Sequence, residues 1–224
     1  MWPASSRRCA KPSGARERHL DPFDVSKRAF DLLLSSLGLL ALAPVLLLIA
    51  LWVKLDSPGP VFFRQERVGR GGRPFFIHKF RTMRHAPQDQ GPLITVGADQ
   101  RITRVGGLLR ASKLDELPQL IDVWRGCMSL VGPRPEVPRY VAHYPAALRE
   151  KVLSVRPGIT DLASIEYRDE SRVLARAADP EQAYIHEVLP HKLALAASYV
   201  DQASLWLDIR LIARTVMAIV RRPA

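Results

Sequence analysis

The chain has 224 residues, with 33 Lys+Arg against 22 Asp+Glu, a formal net charge of +11 and 47% hydrophobic content. That length carries one globular domain with appendages, and the composition is too apolar for a disordered chain. Two cysteines, Cys9 and Cys127, exclude a disulfide scaffold and a Cys-rich zinc module. A basic balance nominates nucleic acid, anionic lipid or a phosphorylated substrate as partner. The charge is spread, with net +4 over 1–28, +7 over 60–110 and +2 over 201–224. It does not concentrate on one recognition helix.

Residues 1–24 are rich in Pro, Ser and Arg and lack periodicity, so they read as a disordered basic arm. From Leu32 to Val53 there are 22 residues without a charge. As a helix they would reach roughly 33 Å, close to the thickness of a bilayer core. The run starts too far in, and is too long, for a secretory signal peptide. Pro44 sits at its centre, where proline removes a backbone hydrogen bond and kinks a helix. Lys27 and Arg28 flank one end while Lys54 and the +7 block follow the other, so both ends claim the cytosolic side. A spanning helix and a re-entrant helix over 25–56 that turns at Pro44 both remain open on this pattern.

Residues 57–224 read as one further domain. Val61–Val68 and Pro74–Met83, joined by Gly69-Arg70-Gly71-Gly72, predict a short β-hairpin with Arg64, Arg67, Lys79 and Arg81 along one face. Next, Arg110 precedes Ser112, Asp115 and Glu116, and Pro118 marks the start of a helix that Gly126 closes. Ser112 would cap, and Asp115 and Glu116 would sit at the helix start, kept ionised by its free N–H groups. Pro133-Arg134-Pro135 presents an arginine on a stiff backbone. A rigid guanidinium, a second arginine and two adjacent acids suit phosphoryl transfer with Mg²⁺, in which a carboxylate attacks phosphorus.

Trp124 and Cys127 should pack under that helix, and Pro190 should open another. Leu205–Val220 places Leu205, Ile209, Ile212 and Val216 at helical spacing, with Arg210 and Arg214 as its basic residues. That helix suits a membrane interface or an ordinary core equally. The histidines at 78, 85, 143, 186 and 191 lack metal-ligand spacing.

Read together, several motifs resemble the bacterial sugar transferases, the monotopic phosphoglycosyl transferases that begin lipid-linked glycan synthesis. They are Lys27-Arg28-Ala29-Phe30-Asp31, the Pro44-centred run, Lys79-Phe80-Arg81-Thr82-Met83, Leu114–Leu120, Met128–Pro135 and Val155–Thr160. The resemblance covers about residues 25–220. It implies an α/β fold, mainly α and non-Rossmann. An N-terminal re-entrant helix hairpin would anchor a cytosolic domain to the inner membrane of a bacterium. It further implies transfer of a sugar 1-phosphate from a UDP-sugar to undecaprenyl phosphate. On that reading Asp115 is the nucleophile, Glu116 with Asp115 holds Mg²⁺, and Arg110 binds phosphate. Pro133, Arg134 and Pro135 face the nucleotide, and Lys79, Arg81 and Arg156 are further basic candidates. Membrane lipid is an expected partner, nucleic acid is not, and self-association into a homodimer stays open.

Two departures stand out. Ala43 precedes Pro44 where the family has serine, and 161–170 replaces the family's usual continuation, a candidate segment for sugar discrimination. The rival reading is a membrane-tethered basic protein that binds nucleic acid without catalysis. It would need a reader motif, and residues 60–110 offer none. An ordinary metal-dependent glycosyltransferase would show Asp-x-Asp, which does not occur.

Overall fold

A computed structural model describes residues 22–84, 99–167, 170 and 174–220. Most of the basic arm, residues 1–21, lies outside them. Helix α1 runs from Pro22 to Asp56 and continues through Pro44. At 1.5 Å per residue, 35 residues would extend about 52 Å if straight. By length and composition it is apolar enough to cross a membrane, and Leu33, Leu40, Leu47, Leu48 and Leu51 stand uncovered by protein.

Its two halves nevertheless dock on the same domain. In the first half, Arg28 donates to the carbonyls of Val123 (2.7 Å) and Trp124 (2.9 Å), and Asp31 accepts from Ser129 Oγ and the Leu130 N–H. Ile49 and Val53 of the second half are buried against Phe80, Val105 and Leu109. Lys27 adds a buried ion pair to Asp208 near the far end of the chain.

Strands β1 (Phe62–Val68) and β2 (Pro74–Phe80) form the expected antiparallel hairpin, in register from Phe62 opposite Phe80 to Val68 opposite Pro74. Gly71 and Gly72 take φ of 69° and 75° in the turn, a region that favours glycine. The expected single basic face is divided. Cross-strand partners share a face, so Arg67 (opposite Phe75) and Lys79 (opposite Phe63) lie together, and Arg64 (opposite His78) lies on the other side.

Helix α2 (Arg104–Ser112) is capped by Thr103, whose Oγ1 accepts from the Gly106 N–H. Ser112 is not a cap: it lies inside the last turn and its hydroxyl donates back to the Leu108 and Leu109 carbonyls. Lys113, at φ 61°, ends α2, and a 3₁₀ turn at Leu114–Glu116 leads through Pro118 into α3 (Gln119–Trp124), closed by Gly126 at φ 83°.

Strand β3 (Ser129–Val131) pairs in parallel with β4 (Gly158–Thr160). Between them lie α4 (Pro138–Val141) and α5 (Ala146–Val152). Then follow α6 (Leu162–Glu166), α7 (Pro180–Ala183), a π-turn at Tyr184–Val188, α8 (Leu189–Gln202) with Pro190 in its first turn, and α9 (Leu205–Val220). The described residues are thus mainly helical, with two small sheets.

Cys127 packs beside Phe75, Ile77, Val123 and Met128 as expected, whereas Trp124 is 54% exposed because it ends α3 on the outer side. Helix α9 joins the core along one face and leaves apolar residues uncovered on the other. Leu211 is fully buried with Val131 and Tyr199, while Trp206, Ile209, Val216 and Met217 stay exposed.

Candidate active site

The 3₁₀ turn between α2 and α3 sets Asp115 and Glu116 side by side. Lys113 makes this turn possible by reversing the chain in the left-handed region, and the turn closes with backbone bonds from Glu116 N to Lys113 O and Leu117 N to Leu114 O. Both carboxylates therefore sit ahead of α3, consistent with their placement at the helix start.

Their environments differ sharply. Glu116 accepts from both terminal nitrogens of Arg134, with the Nη1–Oε2 bond at 3.1 Å, and from Lys79 Nζ at 2.8 Å. Burial alone would raise its carboxyl, but Arg134 and Lys79 outweigh burial and hold it well below the usual carboxylate range. Glu116 in turn pushes the Arg134 guanidinium above its ordinary value. Lys79 is moved down, since its burial outweighs the pull of Glu116.

Asp115 is 8% exposed, and its Oδ1 is buried without a hydrogen-bond partner. Burial pushes its carboxyl up, opposed by Lys79, assisted by Glu116, and opposed again by Lys113 and Arg110. The expectation that the helix start favours both ionised carboxylates is met at Glu116 and opposed by burial at Asp115. Desolvation overrides the few N–H groups near Asp115. One carboxylate is locked in an ion-pair fork, and its neighbour is buried, loosely held and more basic than usual. Such a pair of unlike environments is a mark of acid, base or nucleophile assignment.

Arg134 is held rigidly from behind. Pro133 and Pro135 are buried, and the Gly158 N–H donates to Pro133 O while Arg67 Nη1 donates to Pro135 O, each at 3.0 Å. The Arg134 N–H donates to Asp161 Oδ2 at 3.3 Å. Glu136 completes this support by accepting from Arg67 and from the Tyr184 hydroxyl, with Lys192 3.7 Å away. Burial would raise the Glu136 carboxyl, but Lys192 and Arg67 bring it down. The sequence reading did not name Glu136, Tyr184 or Lys192 as site residues and met Asp161 only at the start of the 161–170 segment set apart for sugar discrimination; Glu136 directly follows Pro-Arg-Pro.

Of the expected basic residues, Lys79, Arg110 and Arg134 converge on the two acids. Arg110 lies in the last turn of α2, near enough for its charge to favour ionised Asp115. Arg81 does not join them. It is buried, and its guanidinium donates to the carbonyls of Pro58 (2.6 Å), Ser57 (2.7 Å) and Val53 (3.3 Å), where it caps the end of α1. Arg156 lies apart too, half-buried among Arg28, Arg70, Asp24 and Asp31; its guanidinium is lowered by burial and by Arg70.

The donor set is compatible with Mg²⁺. Two adjacent carboxylates, one with an unpartnered oxygen, give the all-oxygen chemistry that Mg²⁺ prefers, with phosphate and water filling the other positions. Among the described residues no cluster of three His, Cys, Asp or Glu side chains could hold a metal unaided.

A family model described as bacterial sugar transferase matches residues 23–222. The UDP-glucose:undecaprenyl-phosphate glucose-1-phosphate transferase of Caulobacter vibrioides is 40% identical over 96% of this chain and 77% of its own length. A protein of the same description from Escherichia coli is 40% identical over 85% of this chain, which spans 39% of that relative. The UDP-N-acetylgalactosamine-undecaprenyl-phosphate N-acetylgalactosaminephosphotransferase of Aeromonas hydrophila is 36% identical over 86% of this chain and 43% of its own.

Proposed function

Because the chain belongs to the bacterial sugar transferase family, we propose that it transfers a sugar 1-phosphate from a UDP-sugar to undecaprenyl phosphate, opening the synthesis of a lipid-linked glycan. The activities for which the Caulobacter, Escherichia and Aeromonas relatives are named support the substrate classes. The observation that carries the chemistry is the unpartnered, buried Oδ1 of Asp115 beside the Arg134–Glu116–Lys79 cluster.

In the first step Asp115 Oδ1 attacks the phosphorus that bears the sugar. An Asp–O–P bond forms, the P–O–P bridge breaks, and its electron pair leaves on UMP. In the second, a phosphate oxygen of undecaprenyl phosphate attacks the same phosphorus, forming a new P–O–P bridge and returning the carboxylate of Asp115. A raised carboxyl makes a better nucleophile once ionised, because basicity and nucleophilicity rise together. The fork of Arg134 matches two phosphate oxygens, and Lys79 supplies a second cation, both exchanging Glu116 for substrate. Asp115 and Glu116 would hold Mg²⁺, which neutralises charge on the phosphates when bound.

The helix α1 is membrane-associated on this reading and re-entrant, with the catalytic domain on the cytosolic face of the inner membrane. Its support is the docking of both halves on one domain. Purified protein in lipid nanodiscs, given UDP-sugars, undecaprenyl phosphate and Mg²⁺, should release UMP, and Asp115→Asn should abolish it. Full turnover by that variant removes the nucleophile.

A further inference from the structure

Strand β2 meets the catalytic segment at two neighbouring residues, and only one of the two links is free to break. Lys79 reaches Glu116 from one face of the strand. His78, on the other face, is bound twice by Asp122 of α3: its backbone N–H donates to Oδ2 at 2.8 Å, and its Nδ1 lies 2.6 Å from Oδ1. Both partners are buried, with Asp122 1% and His78 6% exposed. A carboxylate only accepts, so Nδ1 carries the proton in this arrangement. The carboxylate thereby covers a strand N–H that has no partner in the β1–β2 ladder.

We propose that Asp122 is a positioning residue that fixes Lys79 relative to Glu116, and that it does so through His78. The inference rests on the phosphoglycosyl transfer reading above and extends it to a residue outside the site. When phosphate oxygens draw Lys79 away from Glu116, the Lys79–Glu116 link opens. The Asp122–His78 clamp touches no substrate, so it persists and keeps the base of the Lys79 side chain in place. A long flexible amine otherwise has rotamer freedom to lose, and a clamp one residue away reduces the motion of its backbone anchor.

The test is a double-mutant cycle on kcat/KM for UMP release by the full chain in nanodiscs. Asp122→Asn keeps the shape and one acceptor but cannot accept both bonds. It should lower kcat/KM about tenfold, within the roughly hundredfold cost of a 1 Å displacement. In a Lys79→Met background the same change should cost less than about twofold, because the group it positions is gone. His78→Gln, which disturbs the ring half of the clamp alone, should show the same dependence on Lys79. Equal losses with and without Lys79 overturn the proposal, as does a folded Asp122→Asn protein with wild-type kcat/KM. A failure of the transfer reading looks different: Asp115→Asn then keeps turnover, whatever Asp122 does. If Asp122→Asn melts below assay temperature, His78→Gln decides by the same criterion.

Discussion

Asp115 is an exposed question at the scale of a single side chain, since its burial works against the charge its proposed chemistry needs. The folded protein holds its proton to higher pH than the unfolded chain does. The stability due to the neutral form is therefore complete below the ordinary carboxylate pKa and is lost as pH rises through the raised value. Asparagine mimics that neutral form at every pH. Asp115→Asn should raise Tm near pH 7.5 by roughly 2–4 °C, the shift that about 1 kcal/mol produces in a chain of this size. The gain should vanish near pH 4, and thermal melts at the two values check it. A Tm unchanged at both values would mean that the carboxylate is not strained by its burial.

The residues that carry this site were legible to different degrees. Asp115, Glu116, Arg110 and Arg134 announced themselves by residue type and stiff or capped surroundings, and the structure gathers all four. Arg81 looked the same in sequence as Lys79, two positions away. The difference is that β2 ends at Phe80, so Arg81 leaves the strand's alternation and turns to the open carbonyls of α1. Lys192 gave no local signal, and Asp161 was marked only as part of 161–170, because their contacts with Arg134 and Glu136 span 27 and more residues of chain.

At the scale of elements, the catalytic turn is set by how closely α2 approaches the end of the hairpin. A Cβ on Gly106 would lie 2.0 Å from the Thr82 carbonyl oxygen, whereas one on Gly107 would find nothing nearer than 4.0 Å. Gly106→Ala should thus cost about 3 kcal/mol or more and displace the turn at 114–116. Gly107→Ala, one residue along the same helix, should instead stabilise by about 0.5–1 kcal/mol. Urea unfolding of the two variants checks the contrast, and similar losses in both would show that backbone approach at Thr82 is not the constraint. The sequence located the hairpin, α3 and α8 from turn residues and periodicity. It misassigned Ser112 as the cap of α3, because α2 runs on through Ser112 and the 3₁₀ turn at 114–116 intervenes before α3 begins.

For the whole molecule, the informative feature is that one apolar helix is a shared wall. A straight helix of about 52 Å crossing a bilayer would carry Arg28 and Val53 to opposite sides, yet both are bound to the same domain. Single cysteines at Lys27 and Lys54 would disturb the docking, so Ser26 and Asp56 are better sites for impermeant labelling. Both should react from the cytosolic side only, in a background carrying Cys9→Ser and Cys127→Ser. Reaction of the two from opposite sides would restore the spanning helix. The basic residues at both ends of the apolar run leave this choice open, because they constrain the two ends and say nothing of what lies between them.

The ion pair between Lys27 and Asp208 joins residues 181 positions apart. At the usual 5–20 residues per second, a ribosome needs roughly ten to forty seconds to make the second partner after the first. Throughout that interval Lys27 has no partner, whereas the partners of Arg28 and Asp31, at 123–130, are made about halfway through it. On the proposed membrane reading, α1 would then meet lipid before the Lys27–Asp208 pair can form, and that contact would secure the helix instead of guiding its entry.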